Sequence, residues 1–152
     1  MIEIKEIKTD EDFRKASKLA HLCFHDKSEE ENFEYYKGFE DLKFLGVFKG
    51  EQLVGGGGYY DFQIPIREYW FSCSGIAHVM SDPLERKKGQ IRILMEQILR
   101  DNFDDSYAMS ALWPFNYVFY EKFGYAKTEK NVLYKFSPSE VKKNLFVSRN
   151  PS

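Results

Sequence analysis

The chain has 152 residues, 43% hydrophobic and 30% charged, with a formal net charge of -2. That is one domain's worth of chain with enough apolar residues for a core, and its charge balance excludes a global pull on nucleic acid. No apolar run approaches the length of a membrane span. The start, MIEIKEIKTDEDF, lacks the apolar core of a secretory signal. Cys23 and Cys73 form no CxxC pair, which predicts two core thiols in a reducing, cytoplasmic setting. An aromatic content of 17% points to a mixed fold with well-filled strands.

Ile2 to Ile7 alternates and predicts a first strand. Thr9 or Asp10 can cap a helix running to about Cys23. KSEEENFEYYKGF predicts a second helix, whose acidic first turn suits the helix dipole. KFLGVFKGEQLVGGGGYYDFQI predicts two strands joined at Lys49-Gly50-Glu51, and EYWFSCSGIAHVMS a long fourth strand. Ile91, Leu94, Met95 and Ile98 share one face of a helix expected from about Gly89 to Leu99 or a little beyond. YAMSALWPF predicts a fifth strand. Asn116 to Phe123 predicts a short helix, capped by Asn116 and stopped by Gly124. NVLYKF predicts a last strand, followed by a polar tail.

Gly55 to Gly58 lie inside a strand pattern. Such a run marks either a bulge with close backbone approach or a flexible hairpin segment. The stretch DPLERKKGQIRIL raises a sharper question. Arg86, Lys87 and Lys88 precede Gly89 at a helix start. Open N–H groups and a positive dipole end favour an anion there, and glycine lets backbone come close to a phosphate. The competing reading is a solvated basic loop. The spacing matches neither a Walker loop nor GxGxxG.

The pattern V-x-x-x-P-x-x-R-x-x-G from Val79 to Gly89, with PFNYVFYEKFGY following, resembles the GNAT superfamily of acetyl-CoA-dependent N-acetyltransferases. Within it, the R-x-x-G loop followed by Ile91 and Arg92 is similar to the N-terminal domain of the enhanced-intracellular-survival (Eis) type. The resemblance implies an α+β GNAT fold with a mixed, mainly antiparallel central sheet. It implies a domain over residues 1–137 with a C-terminal tail at 138–152. It further implies that Val79, Met80 and Ser81 offer strand backbone to the pantetheine arm and thioester carbonyl. Arg86, Lys87, Lys88, Gly89, Gln90, Ile91 and Arg92 would cradle the pyrophosphate. Phe115 and Asn116 would border the cofactor, and Tyr120 would protonate the departing thiolate. Eis-type proteins are longer, and their C-terminal carboxylate is held to act as base.

The chemistry independently suits Tyr120. A thiolate leaving group near pKa ~8.5 can take a hydrogen bond and a proton from a phenol near ~10. Its other reading is a core aromatic beside Phe119 and Phe123. His78, next to Val79, is a candidate base alongside water, or a filler of a half-buried strand face. His21 and His25 bracket Cys23 without a further ligand cluster, so no metal site is expected. The expected activity is acetyl transfer from acetyl-CoA to a primary amine, on a small molecule or a peptide, by direct attack. Alternatives are a CoA-binding regulatory module and a non-enzymatic interaction domain. Expected partners are the amine acceptor, with a second copy in a homo-oligomer as a further option, and no nucleic acid and no membrane. Glu29, Glu30, Glu31, Glu34 and Asp61 either face that acceptor or only keep the surface soluble.

Overall fold

The computed structural model describes residues 1–128. The strand expected at residues 131–136, the boundary at 137 and the tail at 138–152 lie outside the described residues. In chain order the elements are β1 (Ile2–Glu6), α1 (Asp10–Phe24), α2 (Glu29–Lys37), β2 (Leu42–Lys49) and β3 (Gln52–Ile66). They continue with β4 (Tyr69–Ser81), α3 (Gln90–Asp104), β5 (Met109–Leu112) and α4 (Tyr117–Glu121). One sheet runs in the order β1-β2-β3-β4-β5. Its first three pairings are antiparallel and β4–β5 is parallel. The α+β fold with a mixed, mainly antiparallel sheet is therefore as expected.

Alternation along β2 explains how the sheet is covered. Phe44 and Phe48 pack with Ala16, Leu19, Ala20 and Tyr36 of α1 and α2. Leu45 and Val47 pack on the other face with Leu94, Met95 and Ile98 of α3 and Tyr120 of α4. Both faces are buried, so β2 reads as a continuous apolar run although its side chains alternate.

Local chemistry sets the helix starts. Thr9 accepts from the Asp12 N–H at 3.1 Å and caps α1. Ser28 and Glu31 form a reciprocal capping box at α2, which assigns Glu31 to the helix start. Asn116 caps α4 by accepting from the Phe119 N–H at 3.1 Å.

Two boundaries differ from expectation. The fifth strand is four residues long and stops at Leu112, before Trp113, Pro114 and Phe115. Its last pair with β4 is Ile76 with Leu112, and without that partner the chain leaves the sheet. Helix α3 runs on to Asp104, five residues past Leu99. Its extra turn is held by polar contacts that a hydrophobic pattern does not register: Asn102, 4% exposed, donates to the Ser74 hydroxyl at 2.7 Å.

The glycine run is buried strand, and it serves close approach. A Cβ on Gly55 would lie 3.2 Å from the Ile91 side chain, and one on Gly57 would lie 3.3 Å from Leu94. Helix α3 thus rides close on β3. At Gly58 a Cβ would overlap the Lys43 backbone carbonyl of the neighbouring strand. Gly58→Ala should therefore destabilise the domain by about 1–3 kcal/mol, read as a lower urea midpoint with unchanged slope.

Candidate functional site

The site begins with an irregularity in β4. Gly56 pairs with Met80 and Gly58 with Ala77, so His78 and Val79 together face Gly57. This is a β-bulge, with the extra residue on β4. His78 takes φ +56°, a left-handed conformation uncommon for a residue with a Cβ. Just before it, the pairing of β4 with β5 has ended at Ile76. Residues 77–81 continue alone on that side among the described strands.

A cleft of about 320 Å³ opens at this divergence. Phe24 closes α1 against it, and Asp26 and Lys27 enter from the loop before α2. Asn32, Tyr35 and Tyr36 line it from α2, His78 and Val79 from β4, and Trp113 and Phe115 from the chain after β5. Tyr120 is 4% exposed and its ring lies 5.4 Å from that of Phe115, one aromatic layer behind the cleft. It also borders a larger cavity of about 790 Å³ along β5. Burial, with a smaller contribution from Tyr125, pushes its phenol up to about 12.

His78 sits in an aromatic cage. Its ring lies 5.2 Å from Tyr36, 5.7 Å from Tyr35 and 6.0 Å from Tyr60. Its Nε2 shares a 3.0 Å hydrogen bond with the Tyr60 hydroxyl. Burial lowers the His78 pKa below its ordinary value, and the Lys27 charge adds to this. The imidazole is therefore neutral at physiological pH. When Nε2–H donates to Tyr60, Nδ1 is the free acceptor.

The start of α3 lies just beyond β4. Gly89 is its N-cap at φ +88°, with no side-chain cap. The first intrahelical bond runs from the Ile93 N–H to the Gly89 carbonyl at 3.1 Å. The N–H groups of Gln90, Ile91 and Arg92 precede it and are open in the way an anion site requires. Space beside Gly89 is free, so its requirement is conformational rather than steric.

The basic run divides. Arg86 and Lys87 are exposed. Lys88 is held 2.9 Å from Glu85, which also meets Lys49 at 3.3 Å. These contacts, Lys88 first, draw the Glu85 carboxyl below its usual range. Gln90 turns its buried side chain to Glu85 at 3.4 Å, and Arg92 pairs with Glu96 at 2.9 Å. Met80 puts its side chain in the core, and the Ser81 carbonyl accepts from the Cys23 thiol at 3.2 Å.

The structure thus brings His78, Val79 and Phe115 to one cleft, with Tyr120 behind it. It places Asn116 as a cap. None of Glu29, Glu30, Glu31, Glu34 or Asp61 lines the cleft; the carboxylate there is Asp26. Glu31 is spent on the α2 cap and Glu30 pairs with Arg14 at 3.2 Å. His21 Nδ1–H donates to the Lys27 carbonyl at 2.8 Å. Among the described residues there is no cluster of three potential metal ligands, and no helix is long and apolar enough to cross a membrane.

A sheet whose parallel strands part beside a glycine-led helix start defines the GNAT acetyltransferase fold. The chain belongs to the Acetyltransferase (GNAT) domain family, which matches residues 3–128. The enzyme class that goes with this domain is N-acetyltransferase. A probable N-acyltransferase of unknown function from Enterococcus faecalis V583 is similar at 26% identity and TM-score 0.75, over 82% of this chain and 32% of that one. A GCN5-related N-acetyltransferase from Kribbella flavida gives 23% identity and TM-score 0.73, over the same shares. The chain therefore spans about a third of each. The aminoglycoside N-acetyltransferase AAC(6')-Iy, solved with CoA, shares the fold at 11% identity and TM-score 0.72, over 90% of this chain and 95% of that one. No curated protein sequence matches the chain significantly.

Lowered His78 basicity links stability to pH. The folded state binds this proton less readily than the unfolded chain, whose histidines titrate near ~6.5. The contribution is present above that value and declines as pH falls below it. His78→Phe should remove this part of the decline, so urea midpoints of variant and wild type should converge between pH 7.5 and 5.

Proposed function

We propose that the chain transfers an acetyl group from acetyl-CoA to a primary amine by direct attack. The observation that carries this reading is the parting of β4 from β5 past Ile76, beside the open start of α3. The pantetheine arm would lie along Val79, Met80 and Ser81, using backbone groups, with Phe115 at its border. The pyrophosphate would meet the N–H groups of Gln90, Ile91 and Arg92, with Arg86 and Lys87 adding charge. Lys88 serves mainly through its Glu85 pair, which ties the loop to Lys49 on β2. Asn116 acts by capping the helix that carries Tyr120.

The thioester carbonyl would sit at Val79, facing the cleft. A neutral amine attacks it, the N–C bond forms, and the C–S bond breaks. His78 Nδ1 or a water takes the amine's proton. Because burial holds the His78 pKa below its ordinary value, the acidic limb of activity should lie below the ordinary histidine range. Tyr120 supplies a hydrogen bond to the sulfur. A phenol pushed to about 12 keeps its proton until negative charge has built up on the leaving group, so donation accompanies bond breaking. The acceptor enters from the α1–α2 side as a small molecule or a peptide amine. The Eis-type reading rests on the R-x-x-G loop followed by Ile91 and Arg92.

Acetyl-CoA should raise the melting temperature, and thiol release should appear with an amine panel. Tyr120→Phe should lower turnover by ~10²–10⁴-fold while keeping CoA affinity; wild-type turnover would return Tyr120 to a packing role. Gly89→Val must hold a β-branched residue at positive φ. It should weaken CoA binding about tenfold or more by displacing the helix start, because a bulky residue there costs about 1–3 kcal/mol of backbone strain. Unchanged affinity in a folded variant would remove the loop from the site.

A further inference from the structure

The acceptor cleft already contains an amine. Lys27 lies in the loop between α1 and α2, and its ammonium sits 4.6 Å from the Tyr35 ring centroid and 3.2 Å from the Asp26 carboxylate. The Tyr35 ring is in turn 5.7 Å from that of His78. Lys27 and Val79 line the same cleft.

The loop is held in this position. The Lys27 carbonyl accepts from His21 Nδ1–H of α1 at 2.8 Å and from the Asn32 amide of α2 at 3.5 Å. Asn32 is itself 3% exposed. Two helices therefore pin the backbone at the mouth, while the four-carbon arm is held only at its tip, by Asp26 and the Tyr35 ring. A flexible arm on a fixed anchor gives its amine a high effective concentration, the condition that favours an intramolecular reaction.

We propose that Lys27 is a self-acceptor: with acetyl-CoA bound, its ε-amine is acetylated in cis within the acceptor cleft. The deprotonated ε-amine attacks the thioester carbonyl. An amide N–C bond forms, the C–S bond breaks, the amine's proton passes to His78 or water, and the CoA thiolate takes one from Tyr120. The product is a neutral acetyl-lysine and free CoA. Acetylation also removes the cation that rests on Tyr35 and pairs with Asp26, leaving both to an incoming ammonium. This rests on the proposed acetyltransferase reading of the same cleft.

The experiment incubates the full chain with acetyl-CoA and no added amine, and follows acetylation of each lysine by quantitative peptide mass spectrometry. Exposed Lys18 and Lys122 serve as references for spontaneous chemistry. Lys27 should be modified about tenfold or more faster than either, at a rate independent of protein concentration. Tyr120→Phe should slow Lys27 by ~10²–10⁴-fold and leave the references unchanged. CoA binding by calorimetry and turnover with an external amine panel are measured alongside. If the protein binds CoA and acetylates external amines while Lys27 lags with the references, the self-acceptor is overturned and the acetyltransferase reading stands. A rate proportional to protein concentration overturns modification in cis. Failure to bind CoA overturns both readings.

Discussion

The site depends on one backbone irregularity, the bulge that sets His78 and Val79 of β4 against Gly57 of β3. An extra residue bends the strand and sharpens its twist. β4 therefore turns away just past its last pairing with β5, and its end is left open on one side. The same bend puts the His78 ring among Tyr35, Tyr36 and Tyr60. A left-handed histidine is strained in isolation, and the aromatic packing with the Tyr60 hydrogen bond holds it there. The glycines opposite complete the arrangement. With no side chains at Gly55 and Gly57, Ile91 and Leu94 bring α3 down on β3. The open start of α3 is thereby fixed close to the end of β4.

How far this was legible in the sequence follows from how local each feature is. The R-x-x-G loop is contiguous, so its basic run, glycine and following helix appear together in the thirteen residues from Asp82 to Leu94. The caps at Thr9, Ser28 and Asn116 are equally local, each settled by residues three apart. The end of the fifth strand is not local. Trp113 and Phe115 suit a strand by composition, but β4 has already bent away and offers no partner. The end of α3 escaped for the opposite reason, since Asn102 is buried through a hydrogen bond to Ser74 and carries no apolar signal.

The acceptor side was the least legible part. Tyr35, Tyr60 and His78 come from three elements, and nothing in their spacing announces a cage. The acidic residues of α2 are conspicuous by number, but Glu31 is used for the cap, Glu30 pairs with Arg14, and none of them lines the cleft. Asp26 and Lys27, adjacent and opposite in charge, look like an ordinary loop pair. Their place follows only once both helix ends are known. A sequence signal did exist in the Tyr35-Tyr36 pair, because two adjacent aromatics on so polar a helix mark the side that packs against the sheet. Tyr36 is buried, with its phenol pushed up by burial, and Tyr35 is half-buried beside it, yet both edge the cleft and both rings meet His78.

The two halves of the site are thus built from different materials. At the proposed cofactor end the working groups are backbone: strand amides along Val79 to Ser81 and helix N–H groups after Gly89. Much of the side-chain charge there is internally committed, Lys88 and Lys49 to Glu85 and Arg92 to Glu96. Such a surface would suit a feature shared by every CoA thioester. At the proposed acceptor end the walls are side chains from α1, α2 and the chain after β5, dominated by aromatic rings around one opposed charge pair. Trp113, 79% exposed and past the end of β5, can change without disturbing the sheet. On the proposed reading, backbone holds what acyl transfer needs constant and side chains shape what the amine requires, and the bulge at His78 is where the two meet.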